Sequence, residues 1–449
     1  MSLTLSLRPS VITLGRSLRQ QLCYALVTIA ADVHNGRGVN WAFVADASRS
    51  MRIPIISDSQ FRTLVRAGGA QETLVDGVPV WQLSGPVPDD IRANAPSALD
   101  HTARALHSVV ERLDAADRFA LIACAETATT LITSTPGDGR AVMVGGIGRL
   151  KTLRLGEETD LARGLRLALD ELAQGRKHLP NAAARLLLLT DGFTQNPDAC
   201  RDLAREATTV GVAISTIGLG SDFQEALLTE LADVSGGRAL FAHRAEAIPA
   251  MVAQELAAAR RVAAPSVALD IAVSAQATLR RATRVRPELA PLAAAPTVGD
   301  TQRIQLGAIA VDTPTVVLLE MIIEGDATNT QLAHLVLYEN DSIVRRQQIV
   351  ATYAAEAAAP HSATLDAVAR ANAARLQLRG LEAVATGDRL HGASLLRNAA
   401  ARLRELGETE LASKVLEEAA SVERTGQTSR LGAKELAYAT RRLGDNNVV

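Results

Sequence analysis

A chain of 449 residues has room for about three domains at roughly 150 residues each. Its 47 Lys and Arg nearly balance 49 Asp and Glu, and a net charge of −2 argues against a surface built to hold nucleic acid or an anionic membrane. Aromatics at 3% against 47% hydrophobic residues leave a core of Ala, Leu, Val and Ile, and few platforms on which bases or sugars could stack.

The N-terminus alternates polar and apolar residues through Leu3, Leu5 and Leu7, as a strand does and a signal peptide does not. A second apolar run spans Cys23 to Ile29, and Gly36-Arg37-Gly38 punctuates it. Trp41 to Ala45 is a continuous apolar strand of the kind buried on both faces of a parallel sheet, and it stops at Asp46-Ala47-Ser48-Arg49-Ser50. Residues 52–90 break the rhythm with prolines and the step Val75-Asp76-Gly77-Val78, which predicts an inserted β-hairpin and loop. From Ser97 to Leu113 the apolar residues fall at helical spacing.

Strand and helix then alternate. Strands are predicted at 119–124, 129–132, 185–190, 212–217 and 238–241, and helices at 160–173, 197–210, 225–232 and 245–261. Gly236-Gly237 marks a helix C-terminus. About 220 residues of this alternation imply an open, mostly parallel α/β sheet with helices on both faces. Past Pro265 five strand-like stretches bounded by turns (267–273, 303–306, 314–323, 331–338 and 342–350) read as a β-sandwich. From His361 helix formers dominate, with Gly387-Asp388 and Gly407-Glu408 as separators, and 393–411 is similar to a tetratricopeptide-like helical hairpin. The expected organisation is a multi-domain chain. Residues 1–37 complete the sandwich, 38–261 form the α/β domain with insertion 52–90, 262–355 form the sandwich and 360–449 a helical domain.

Three pieces carry the chemistry: Asp46, Ser48 and Ser50 at the end of a buried strand, Thr159 ahead of a helix, and Asp191 after the Leu186 to Leu189 run. In an open α/β sheet, ligands bind at the carboxyl ends of the strands, where all three pieces fall. Three hydroxyls and two carboxylates are an all-oxygen set, which suits a hard divalent cation such as Mg2+, with Mn2+ or Ca2+ as alternatives. The competing roles are helix capping by Asp46 and Asp191 and an N-cap role for Thr159.

This pattern resembles the von Willebrand factor A domain with its metal-ion-dependent adhesion site. Asp46-x-Ser48-x-Ser50, the separate Thr159 and Asp191 stand where that family has its ligands. The stretches 117–122, 216–223 and 235–240 are similar to its later strands and helices, so the likeness runs over about half the chain, 38–260. The resemblance implies that the serines, and often the threonine, hold the ion directly while the aspartates act mostly through water. It also implies that a protein partner's carboxylate completes the shell. Arg49 stands where the family often has Gly, so Arg49 and the flanking Glu158 are candidate partner contacts. The function expected is a cytoplasmic, non-enzymatic scaffold or adaptor, of an intracellular bacterial type that works alongside MoxR-type AAA+ ATPases or kinase and phosphatase signalling proteins. The alternative is a self-assembling subunit that binds a neighbouring copy. No nucleic-acid partner and no membrane span are expected, since no run of about eighteen apolar residues occurs.

Other features are read more plainly. Cys23, Cys124 and Cys200 are too scattered for a disulfide framework or a thiolate zinc site. Gly145-Gly146-Ile147-Gly148 lacks the Lys-Ser/Thr of a phosphate loop and reads as a turn. Arg280, Arg281, Arg284 and Arg286 read as a solvated strand face, and Glu157 and Glu158 as solvent-facing.

Overall fold

The computed structural model describes residues 3–444, apart from 10, 16–19, 33–37, 57, 76–77, 86–87, 90, 92–94, 221–222, 297–300 and 325–329. The expected Asp76-Gly77 turn and the start of the Gly36–Gly38 step lie outside the described residues. Strands β1 (Leu3–Arg8), β2 (Val11–Gly15) and β3 (Gln20–Ala31) precede β4 (Val39–Asp46), in which every residue is buried. Helices on both faces cause that burial. Trp41, Phe43 and Ala45 enter one hydrophobic cluster, and Ala42 and Val44 enter another on the opposite side.

After β4 the chain makes helix α1 (Asp58–Arg66), a hairpin of β5 (Ala70–Val75) and β6 (Val78–Leu83), and helix α2 (Ala98–Arg112). The insertion therefore carries a helix besides the hairpin. Phe61, Leu64 and Val65 have helical spacing and pack in a small separate cluster with Ile56 and Ile91, but the helix is only nine residues long and gives a weak periodic signal. A reciprocal capping box starts α2, with Asp100 N–H donating to Ser97 and Ser97 N–H donating to Asp100.

The rest of the doubly wound domain comprises β7 (Arg118–Cys124), β8 (Ala128–Pro136), β9 (Ala183–Thr190), β10 (Val212–Leu219) and β11 (Ala239–Ala242). Its helices are α3 (Arg140–Thr152), α4 (Leu161–His178), α5 (Pro197–Thr209), α6 (Glu225–Ser235) and α7 (Ile248–Arg260). The sheet runs β8-β7-β4-β9-β10-β11, parallel except for β8. From β4 the chain winds outward first one way and then the other, so the order reverses between β4 and β9 and leaves a crevice at their carboxyl ends. The Gly145–Gly148 run is not a turn: it lies inside α3. Glycine there weakens a helix by about 1 kcal/mol relative to Ala. In exchange, α3 sits against β8 so closely that a Cβ on Gly146 would come within 2.2 Å of the Ile132 side chain.

Residue 261 alone separates α7 from β12 (Val262–Val273), which opens the series β13 (Ala277–Arg286), β14 (Ala290–Leu292), β15 (Ala294–Pro296), β16 (Thr301–Ala310), β17 (Thr315–Glu324), β18 (Gln331–Glu339) and β19 (Ser342–Ala354). Two sheets result, β1-β3-β17-β13-β14 and β15-β16-β12-β18-β19-β2. Strand β3 pairs with β17 and β2 with β19, so strands from both sides of the doubly wound domain share these sheets. One apolar cluster joins them, with Val27, Leu279 and Leu319 from the first sheet and Leu269, Ile304 and Leu335 from the second. The arginines of β13 divide: Arg280 is exposed as expected, Arg281 is half-buried and pairs with Glu320 at 3.4 Å, and Arg284 is buried and donates to the Glu288 carbonyl.

Four helices close the chain: α8 (Ser362–Ala385), α9 (Arg389–Glu405), α10 (Thr409–Thr425) and α11 (Arg430–Arg441). Helix α11 lies against the β11 edge of the doubly wound sheet, where Tyr438 stacks on Phe241 at 5.6 Å and Lys434 Nζ donates to the Phe223 carbonyl at 2.8 Å. Among the described residues no helix is long and apolar enough to cross a membrane.

Candidate metal centre

Strand β4 ends on Asp46, whose side chain is fully buried. Its Oδ1 accepts from Ser48 N–H at 2.9 Å, and its Oδ2 accepts from Thr190 Oγ1 at 2.6 Å and Thr159 Oγ1 at 3.5 Å. Every one of these donors is neutral. Burial pushes the Asp46 carboxyl above its ordinary range, and the hydrogen bonds from Ser48, Thr190 and Thr159 offset only part of that. Next to this carboxylate, Ser48 Oγ lies 3.1 Å from Ser50 Oγ, which donates to Asp191 Oδ1 at 2.7 Å. The five residues singled out as ligands thus meet at the crevice between β4 and β9.

Backbone bonds hold the three loops in register. Ala47 N–H donates to the Cys124 carbonyl at 2.7 Å, Asp160 N–H to Ala125 at 2.8 Å and Gln195 N–H to Thr159 at 3.0 Å. Arg52 braces the first loop from below by donating to the carbonyls of Ala47 and Lys151 at 3.0 and 2.8 Å. Thr159 does not cap the following helix. Asp160 is the N-cap of α4 with no side-chain capping bond, and Thr194 Oγ1 takes the Leu161 N–H at 3.0 Å, which leaves the Thr159 hydroxyl directed at Asp46.

Arg49 and Glu158 stand on the exposed rim. Arg49 pairs with Glu157 at 3.4 Å, both side chains about three-quarters exposed, and Glu158 accepts from Gln195. A pair so wet is worth under about 1 kcal/mol, so Arg49 can turn to another carboxylate at little cost. Sequence reading passed over Thr190. It closes an apolar strand, and its one signal is a hydroxyl immediately before Asp191-Gly192, where it both donates to Asp46 and accepts from Gly192 N–H at 3.2 Å. The cysteines are free and buried.

Among the described residues no group of three or more His, Cys, Asp or Glu could hold a metal. The donors here are instead two carboxylates and three hydroxyls, a set that fits a hard, oxygen-seeking cation and no soft one. A buried carboxylate whose hydrogen-bond donors are all neutral fits the same cation, because an added positive charge would offset its desolvation.

The family model for the von Willebrand factor type A domain matches residues 93–254. The chain carries a von Willebrand factor type A domain. That domain is a general protein-interaction module, typically non-enzymatic. A second model, the Sll0103-like C-terminal alpha-helical domain, matches residues 362–446 and covers the four terminal helices. Among solved structures, a von Willebrand factor type A protein from Catenulispora acidiphila is similar at a TM-score of 0.75 and 17% identity, covering 98% of this chain and 96% of that one. The ArnB paralog VWA2 from Sulfolobus acidocaldarius is similar at a TM-score of 0.55 and 14% identity, with 99% of both chains covered. At such identities the likeness concerns the fold, and it extends over the whole layout as well as the von Willebrand A domain. A comparison with curated protein sequences finds no match.

Proposed function

We propose that the von Willebrand A domain of this chain is a metal-dependent protein-binding module, and that Asp46, Ser48, Ser50, Thr159 and Asp191 hold Mg2+, with Mn2+ or Ca2+ as substitutes. The observation that carries the reading is the meeting of these five oxygen-bearing side chains around a fully buried carboxylate at the sheet's switch point. A cation held there would supply a strong, charge-based bond to a partner's carboxylate. The residues of the chain do the rest. Ser48, Ser50 and Thr159 present hydroxyl oxygens, Asp46 and Asp191 supply charge, and Arg49 on the rim meets the incoming acid.

The remaining layout suits a scaffold. We read the paired sheets as a β-sandwich built from 1–37 and 262–355, interrupted by the von Willebrand A domain at 38–261 and followed by a helical domain at 360–449. Such a chain is expected to act in the cytoplasm as an adaptor, with MoxR-type ATPases or signalling proteins as the partner class.

The test is affinity capture from the source lysate with Mg2+, with EDTA, and with Asp46→Ala. The expected result is a protein retained only by the native chain in Mg2+, whose identity sorts the partner classes. Capture indifferent to all three conditions would move binding to the sheets or the terminal helices and leave the metal centre without a part in it.

A further inference from the structure

A groove of about 910 Å3 opens directly from the metal face. Ser50 and Asp191 of the metal centre line it together with Ile53, Ile55 and Arg62 of the insertion and Arg244 of the segment after β11. Two features distinguish it from an ordinary surface depression. Ile53 and Ile55 are 59% and 38% exposed, two large apolar side chains of the lining turned to solvent. Arg62 and Arg244 are exposed, and among the described residues neither guanidinium has an ion-pair or hydrogen-bond partner. Glu246 and Asp191, also in the lining, are the opposing charges. A divalent cation at the metal centre would tip the balance of the groove to positive.

Resting on the metal-dependent reading above, we propose that this groove selects the partner: it receives an extended acidic peptide segment whose metal-binding carboxylate is followed by an aliphatic residue and then a second acid. In an extended chain, residues two apart point the same way about 6.6 Å apart, so Asp-x-Leu-x-Glu places its three anchors on one side. The first carboxylate reaches the metal, the aliphatic side chain covers Ile53 and Ile55, and the second acid meets Arg62 or Arg244. The insertion thereby has a binding role, since the apolar wall and one of the two arginines belong to it. Charge complementarity argues for a peptide of this chemistry over a purely apolar occupant.

The test uses the full chain and three labelled peptides, Gly-Gly-Asp-Gly-Gly-Gly-Gly, Gly-Gly-Asp-Gly-Leu-Gly-Gly and Gly-Gly-Asp-Gly-Leu-Gly-Glu, followed by fluorescence anisotropy in Mg2+ and in EDTA. Binding in Mg2+ is expected to tighten by about threefold with Leu and again with Glu. Ile53→Ser should erase the first gain and the double change Arg62→Glu, Arg244→Glu the second, with circular dichroism unchanged. Equal, Mg2+-dependent affinity for all three peptides would overturn the groove and leave the metal centre standing. Gains from Leu and Glu that persist in EDTA would keep the groove and overturn the metal reading. If no peptide binds at millimolar concentration, or if the chain dimerises and Ile53→Ser abolishes that dimer, a second copy or nothing occupies the groove and the proposal fails.

Discussion

Asp46 combines complete burial with hydrogen bonds from uncharged donors alone, a costly arrangement unless a cation is added. Asp46→Asn should isolate that cost. Its amide keeps one acceptor for the Ser48 N–H, and the hydroxyls of Thr190 and Thr159 can turn to accept from its NH2 group. In EDTA the melting temperature of the variant is therefore expected to match or exceed that of the native chain. In Mg2+ the native chain should gain about 2.7 kcal/mol at a hundredfold excess over its Kd, whereas the variant gains nothing. Calorimetry in the two buffers checks this, and a native chain unmoved by Mg2+ would sink the metal assignment. At this scale the meeting of Asp46, Ser48, Ser50, Thr159 and Asp191 at one crevice was legible in the sequence, because all five stand at strand or helix ends, where the resemblance to the von Willebrand A domain sets them. Thr190 was not legible, since a threonine closing a leucine-rich strand carries no pattern of its own. The burial of Arg284 was hidden for a related reason: its partners, the Glu288 carbonyl and Asp233, come from a turn and a distant helix.

Helix α11 shows what an element adds beyond its own periodicity. Its Ala and Leu stripe predicts a helix, but not that Tyr438 and Lys434 would dock on Phe241 and Phe223 of another domain. Beneath that contact, burial pushes the Glu225 carboxyl from 4.5 up to about 7, and Lys434 and Arg441 pull it part of the way back. The Tyr438 phenol, itself raised by burial, faces the same group, as does Asp233 through Arg441. A carboxyl raised in the folded state binds its proton more tightly there than in the unfolded chain. Its contribution is full below pH 4.5 and is lost as the pH rises through about 7. Amide hydrogen exchange over 430–441, corrected for the intrinsic rate, is thus expected to quicken between pH 5.5 and 8. Glu225→Gln should flatten the profile, and an equal slope in both proteins would remove Glu225 from the account. The sequence also missed α1, β14 and β15 for want of length, since pieces of three to nine residues hold too few periods to stand out.

Across the whole molecule the domains meet through apolar contacts, such as Leu26, Val285 and Leu318 of the sheets with Ala367 and Ala371 of α8, and also through backbone and charge. Gly236, which ends α6 at φ 75°, lies so close to Gly307 of β16 that a Cβ on the first would fall 2.6 Å from the Cα of the second. Sequence pattern flags Gly236 as a helix terminus, yet gives no hint that it also seats the sheets against the von Willebrand A domain. Beside this crossing lies a network drawn from all three parts of the chain. Arg238 pairs with Glu255 at 3.0 Å and with Glu288 at 2.7 Å, while Arg441 of α11 pairs with Asp233 and lies 3.7 Å from Glu288. Glu288, Glu255 and Arg441 are largely withdrawn from water, so each needs its partner. Among the described residues, Arg441→Ala would leave Asp233 with Arg284 alone, at 3.8 Å, and would withdraw one of the two cations paired with Glu288. Breaking a buried pair from one side costs about 3 kcal/mol, and here the loss falls on the joint between the helical bundle and the rest of the chain. Amide hydrogen exchange is expected to show faster opening of the bundle, 362–441, in the variant than in the native chain, with the core of the doubly wound sheet unchanged. Lys434→Ala, which removes the neighbouring contact to the Phe223 carbonyl, should act in the same direction. If both variants kept the native exchange rates, the bundle would be held by its apolar contacts through Tyr438 and through Ala367 and Ala371, and the charges would not be what binds the three parts together.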